Sequence, residues 1–292
     1  MKRKILTEAK PYLLIAPAIV SFLIFSIYPI LNMIHLSFFD WNMISPEKDF
    51  IGLTNYQKLI SDTDFLQTLL NTTIFTVFSV VADIVLGLLL ALYLKRNTLV
   101  NRILQNVIFT PYVISLASIA MLWLWIMNPD YGLLNSALGI LKIPEINWLG
   151  DPKYAMMSII LICVWKSVGY DTLILLAALQ NIPKSLYEAA EMDHAGWWRK
   201  LSKITFPMIS PTLFFLAIVE TIASFNVFET IQILTNGGPQ NSTNTIVFSL
   251  YQYGFKFYKI GYASTIGVVL MIIISLFTIL YFVLLSKRVH YQ

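Results

Sequence analysis

Tyr187-Glu188-Ala189-Ala190-Glu191-Met192-Asp193-His194-Ala195-Gly196, followed by Ile204-Thr205-Phe206-Pro207 and then Pro211, forms a polar, charge-rich island between two long apolar runs. Pro183 suits the first turn of a helix, and the residues from there to Asp193 are mostly good helix formers. A break over His194–Gly196 lets the chain turn. A second short helix then fits, with Trp197, Leu201 and Ile204 on one stripe. Pro207 and Pro211 open the next apolar run, where a missing backbone donor costs least. Two short helices exposing small and acidic residues make a knob that a soluble partner can grip. The alternative is an amphipathic interfacial loop held by its basic side chains.

The surroundings of the island set the class. Hydrophobic residues make up 57% of the 292, and charged residues only 12%, against about 25% charged in an ordinary soluble domain. This is the composition of an integral membrane protein, and 14% aromatics fit interfacial belts of Trp and Tyr. Six runs are long enough to cross roughly 30 Å of hydrocarbon: about Tyr12–Phe38, Leu66–Leu94, Ile103–Met127, Ala155–Leu179, Met208–Leu234 and Tyr262–Leu285. The first follows Lys2-Arg3-Lys4 but is too long for a signal-peptide core and lacks a small-residue cleavage site, so it is expected to be retained. The predicted fold class is an all-α polytopic membrane protein, residues 1–292 forming a single transmembrane domain.

Lys and Arg orient it. The N-terminal tail, the second loop, the fourth loop (Lys184, Arg199, Lys200, Lys203) and the C-terminal tail hold 13 of the 20. The positive-inside rule therefore puts both termini and the island, loop 181–206, in the cytoplasm. The opposite loops carry turn chemistry, Asn128-Pro129-Asp130-Tyr131-Gly132 and Asn236-Gly237-Gly238-Pro239. Cys163 is the single cysteine, expected as a small buried apolar filler. With three histidines, metal chemistry is not expected, and phosphate-loop and H-E-x-x-H patterns are absent. No nucleophile–base pair stands in a water-accessible domain, so no enzyme activity, bound cofactor or nucleic acid is expected.

The island resembles the Glu-Ala-Ala loop of permease subunits of binding-protein-dependent ABC importers, E-A-A-x-x-D-G-A with a distal I-x-x-P. Glu188, Ala189, Ala190, Asp193, Ala195, Ile204 and Pro207 match. The carbohydrate branch is matched by Pro17 and Pro29, Gly52-Leu53-x-Asn55-Tyr56, Asn128 to Asn135, Ala178-Leu179-Gln180-x-Ile182-Pro183 and Leu234 to Pro239. The whole is similar to the maltose-type "first" permease. The resemblance implies the type I importer fold, with Glu188, Ala189, Ala190, Asp193, His194, Ala195 and Gly196 in a pair of coupling helices seated on a cytosolic ATPase dimer. His194 departs from the family by standing where Gly is usual. If that position needs φ > 0, His is tolerated less well than Gly, and Gly196 is the other candidate for the turn.

Polar residues inside spans mark a candidate pathway, because each is costly there. In the fifth span Phe225, Asn226, Glu229 and Gln232 fall at i, i+1, i+4 and i+7, one face of a helix. Phe225 and Phe228 are placed to stack on a sugar ring, and Asn226 and Glu229 to pair with hydroxyls. Glu220 lies about half a turn from Glu229, so a straight helix cannot turn both into one cavity. Polar glue between helices is the alternative for this stripe. In the fourth span, the resemblance puts Gly169, Tyr170, Asp171 and Thr172 near a mid-membrane substrate site; the alternative is packing. Lys166 and Asp171 are poor mutual partners, and Asp83 is expected as an interhelical contact. The implied partners are a second permease, the ATPase with its ATP and Mg, an extracytoplasmic solute-binding protein, the lipid bilayer of a bacterial or archaeal cell membrane and a sugar. An ion-coupled secondary transporter, an importer permease for a non-sugar solute and a non-transporting scaffold are the competing readings.

Overall fold

The computed structural model describes Tyr12 and residues 14–285; the terminal residues Lys2, Arg3, Lys4, Lys10, Lys287 and Arg288 lie outside them. Among the described residues, five helices are long and apolar enough to cross a membrane, or six if one sharply bent pair is a single span. The fold divides into two compact units. One comprises the described residues up to Asp62 with Ser249–Ile272, and the other Thr63–Phe248 with the described residues from Ile273.

The first unit holds helix α1 (Leu14–Leu36), a hairpin of β1 (Phe39–Asp40) and β2 (Asp49–Phe50), and α2 (Thr54–Ser61). Pro29 cannot donate within α1, and the helix widens just before it into a π-turn, Leu23–Ile27, closed by the Tyr28 N–H on the Leu23 carbonyl. Asn55, buried on α2, ties the unit together by donating to the carbonyls of Ser37 and Phe39, both at 3.0 Å.

The second unit is built on α3 (Thr63–Leu94) and α7 (Pro152–Gln180). These pack closely enough that a Cβ on Gly87 would meet the Asp171 Cβ at 3.1 Å. Between them in sequence lie α4 (Leu99–Val113), α5 (Leu116–Ile126) and α6 (Leu133–Ile140). The third span is thus not the continuous helix expected. Pro111 weakens the end of α4, Ser115 caps α5 by accepting from the Ser118 N–H, and the two helices meet at 100°. Asn135 on α6 organises the connection to α7 with four hydrogen bonds, to the Pro129 carbonyl, to both backbone groups of Ile146, and from the Trp148 indole.

After α7 come α8 (Lys184–Met192), a single turn α9 (Trp197–Lys200), a π-turn (Leu201–Thr205), α10 (Phe206–Phe225), α11 (Glu229–Leu234) and α12 (Ile246–Tyr251). Pro207 again follows a π-turn, closed by the Phe206 N–H on the Leu201 carbonyl. The second helical piece of the polar island therefore runs without interruption into the fifth span. Its expected stripe divides, Leu201 being buried and Trp197 exposed. Leu88, Ala91, Leu175, Leu179, Ile209 and Leu216 form an apolar core where α3, α7 and α10 meet. The last span, α13 (Ile260–Leu285), gives its first half to the first unit and its remaining described residues to the second.

Candidate functional site

A cavity of about 510 Å³ opens within the second unit where α3, α4, α7, α10 and α11 converge. Helical spacing explains the lining. Phe75, Ser79 and Asp83 stand four apart on α3, and Cys163, Lys166, Ser167 and Tyr170 at i, i+3, i+4 and i+7 on α7. The Lys166 ammonium donates to the Tyr112 carbonyl at 2.8 Å, near the C-terminus of α4 where orphan carbonyls gather. The Tyr112 and Tyr170 rings stack at 4.6 Å and 12°, forming a flat aromatic wall. Cys163 is half-buried rather than a sealed filler, its thiol 3.7 Å from the Thr230 hydroxyl. Asp83 makes the interhelical contact expected of it, accepting from the Ser167 hydroxyl at 2.8 Å.

The fifth span corrects the straight-helix expectation. Asn226 ends α10 by donating its side-chain amide to the Ile222 carbonyl at 2.7 Å. Phe228 adopts φ −141°, ψ −60°, and α11 restarts at Glu229. The break lets Glu220 and Glu229 line the same cavity, which an unbroken helix forbids. Asn226, Phe228 and Glu229 reach the cavity. Phe225 does not: it is buried, 5.5 Å from the Phe277 ring. Gln232, one turn along α11, is also absent from the lining.

On α7, Tyr170 alone of its four expected neighbours lines the cavity. Gly169 abuts the backbone of Ile108 and Phe109, so its missing side chain admits a helix rather than a ligand. Thr172 is buried and donates to its own helix at Val168, 2.6 Å away. Asp171, fully buried, lies with Asp83 and Glu220 in a set that brings one carboxyl oxygen of each within 4.8 Å of the others. That constellation escaped a reading based on histidine and cysteine. Its three oxygens suit a hard cation but are half the six or more that calcium takes. Tyr112 and Ser224 were missed as lining residues altogether.

The polar loop is as ordered as the cavity. The His194 N–H bonds the Glu191 carbonyl (3.0 Å) and the Ala195 N–H the Ala190 carbonyl (2.8 Å), the two bonds of a Schellman helix stop. The left-handed residue is His194, φ 52°. Gly196 instead is extended, φ −66°, ψ 165°, ahead of α9. Lys200 closes the loop on Glu191 at 2.8 Å, and Tyr187 meets Thr205 hydroxyl to hydroxyl at 2.9 Å. The hydrogen bond and charge of Lys200 hold the Glu191 carboxyl below its ordinary value. Glu188 and Ala189 stay exposed, as do Met192, Trp197 and Trp198.

Residues 83–291 match the family described as the inner membrane component of binding-protein-dependent transport systems. The chain is 40% identical over 268 residues to the probable ABC transporter permease protein YurN of Bacillus subtilis, covering 90% of this chain and 91% of that one. It is 35% identical over 275 residues to the trehalose/maltose transport system permease protein MalF of Thermococcus litoralis, covering 94% and 93%. A solved bacterial ABC transporter involved in import of the acidic polysaccharide alginate contains a chain with the same fold, at 25% identity and a TM-score of 0.82 over 96% and 99%. The chain therefore belongs to the family of inner membrane components of binding-protein-dependent transport systems, as a multi-pass ABC importer permease.

Proposed function

We propose that this chain, with a second permease, forms the translocation pathway of an ATP-driven carbohydrate importer in a bacterial or archaeal cell membrane. The observation that carries the reading is the cavity: a stacked tyrosine pair beside carboxyl, amide and hydroxyl groups in an otherwise apolar wall. Aromatic faces cover the C–H faces of a sugar ring, while Asn226, Glu229 and Ser224 are of the types that pair with its hydroxyls. The relatives that carry trehalose, maltose and alginate support a saccharide as cargo.

The loop 181–206 is the coupling element in this reading. The Lys and Arg distribution supports a cytoplasmic position for it and for both termini. There Glu188, Ala189, Ala190, Asp193, His194, Ala195 and Gly196 dock on the ATPase subunits, which bind the ATP and Mg; the chain itself catalyses nothing. Residues 1–292 act as one permease domain. Nucleotide closure moves the loop, opens the cavity outward to a solute-binding protein, and hydrolysis resets it. The family match sets aside the ion-coupled and scaffold readings.

The test is Glu188→Lys in the complete importer reconstituted in proteoliposomes. Saccharide uptake and solute-stimulated ATP hydrolysis are expected to fall together while the subunits still copurify. Full stimulation in an assembled complex refutes the coupling assignment.

A further inference from the structure

A second cavity, of about 390 Å³, lies in the polar loop between the end of α8 and the helical piece that follows. Ala190 and Ala195 in its wall leave room, and Asp193, Arg199, Lys200 and Lys203 supply its charge. Lys200 is taken by Glu191, 2.8 Å away. That leaves Arg199 and Lys203, both exposed and neither in an ion pair among the described residues, against the single carboxyl of Asp193. The groove is thus one negative charge short of neutral. Immediately before Arg199 in the chain, Trp197 and Trp198 are 59% and 75% exposed, their rings edge to face at 4.5 Å. Trp and Arg are the side chains that dominate the centres of protein–protein interfaces, and exposed apolar surface rimmed by polar groups marks contact.

We infer that the second helical piece, rather than α8, carries most of the grip on the ATPase: the groove receives an acidic side chain of the ATPase subunit on Arg199 and Lys203, and Trp197 and Trp198 enter an apolar recess beside it. The inference rests on the reading above that loop 181–206 docks on the ATPase. An arginine fork pairs a carboxylate through two parallel bonds, and one carboxylate brings the groove to neutrality. Glu188, exposed on α8 and of opposite sign, then meets a basic group of the partner, so the two contacts together fix its orientation. The other anion that a basic loop encounters is a phospholipid headgroup. Helix length favours the protein. The run from Trp197 to Leu234 counts 38 residues, up to about 57 Å at 1.5 Å per residue, for roughly 40–45 Å of bilayer with its headgroups. The excess falls at the end that carries Arg199, Lys200 and Lys203, because cations are costly within lipid. Trp197 and Trp198 therefore stand beyond the headgroups, where a soluble subunit reaches them.

The experiment holds the complete importer in lipid nanodiscs by a tag on this chain and follows release of the ATPase during washing. Trp198→Ala is expected to release it about 30-fold faster than the parent, as loss of a central interface tryptophan does. Arg199→Glu is expected to release it about tenfold faster. Both side chains are exposed, so neither change disturbs the packing of the loop. A carbodiimide, which joins amines to carboxyls in contact, then identifies the partner group by mass spectrometry. Lys203 is expected to link to an Asp or Glu of the ATPase, with the Lys200–Glu191 link as internal control. Release at the parental rate in both variants overturns the grip. An Arg199→Glu effect that vanishes in nanodiscs free of anionic phospholipid assigns the groove to headgroups and overturns the ATPase contact. Links to the ATPase from Lys184 alone, with parental release, leave the docking reading standing and overturn this one. Parental release with no link to the ATPase from Lys184, Lys200 or Lys203 overturns both.

Discussion

Replacing Gly169 by alanine puts a methyl group where α7 crosses α4. The new Cβ would meet the carbonyl oxygen of Ile108, with the Ile108 carbonyl carbon at 2.6 Å and the Phe109 Cα at 2.9 Å. Carbon atoms rest at about 3.5–4.0 Å, so the helices must part by roughly 1 Å. All three contacts are backbone, and no rotamer change relieves them. Overpacking of this kind costs about 1–3 kcal/mol. Alanine recovers about 0.5–1 kcal/mol over glycine in a helix, which leaves a net loss of about 1 kcal/mol. By the scaling of soluble domains of similar size, the purified complex should melt roughly 2–5 °C lower. The same displacement stretches the 2.8 Å bond from Lys166 to the Tyr112 carbonyl and separates the stacked tyrosines, so solute uptake falls with stability. Gly139→Ala in α6, where an added Cβ has nothing within 4 Å, is the control and should lose no stability. Equal melting temperatures for Gly169→Ala, Gly139→Ala and the parent would refute the close α4–α7 approach.

His194→Gly removes the Cβ from a left-handed residue, a conformation that costs an ordinary residue about 1–2 kcal/mol. After the added chain entropy of glycine it should stabilise the loop by about 0.5–1 kcal/mol, whereas His194→Val destabilises it. Hydrogen exchange at the Ala195 amide reads both, and slower exchange in the Val variant would contradict the helix-stop geometry. Asn135→Leu strands four hydrogen-bonding partners and should cost about 3 kcal/mol; limited proteolysis between Asn128 and Asn147 at parental rates would count against it. Glu191 titrates below its ordinary value of 4.5 because Lys200 bonds the charged form. The contribution of this pair is therefore present in full above the unfolded value and is lost as pH falls through the depressed one. In Lys200→Met the carboxyl titration, followed by NMR, should move up; an unmoved curve denies the ion pair.

The spans were legible because 20-odd apolar residues in a row have few other uses. A helix break over His194–Gly196 was legible from the local run of residues, but which of His194 and Gly196 takes positive φ is decided only by the structure, which puts it at His194. Breaks inside spans were harder. Hydropathy averages over a window and does not register Asn226–Phe228, a three-residue interruption without Pro or Gly. Periodicity on a straight helix then grouped Phe225 and Gln232 with Asn226, and excluded Glu220. The bend after α4 did leave marks, Pro111 and the Ser115–Ser118 cap, but a 100° turn between two apolar helices still reads as one run. On α7 the difficulty was of another kind. Neighbours cover several of its faces, and spacing alone does not tell which face meets Ile108, which meets Asp83 and which opens on the cavity. The resemblance grouped Gly169, Asp171 and Thr172 with Tyr170, and spacing offered no means of separating them, although of the four only Tyr170 lines the cavity.

From Trp197 the chain stays helical through the π-turn to Phe225, a rod roughly 40 Å long at about 1.5 Å per residue. One end is tied into the polar loop through Lys200 and Thr205, and the other stops at the cavity floor beside Asn226. Such a rod acts as a lever. A tilt of about 5° at the loop end displaces the far end by roughly 3.5 Å, more than the length of a hydrogen bond. The interruption after Phe225 is where that displacement is absorbed, so α11 need not follow it. In the coupling role proposed above, a small push on the loop thereby becomes a change in the spacing of Glu220 and Glu229 at the cavity.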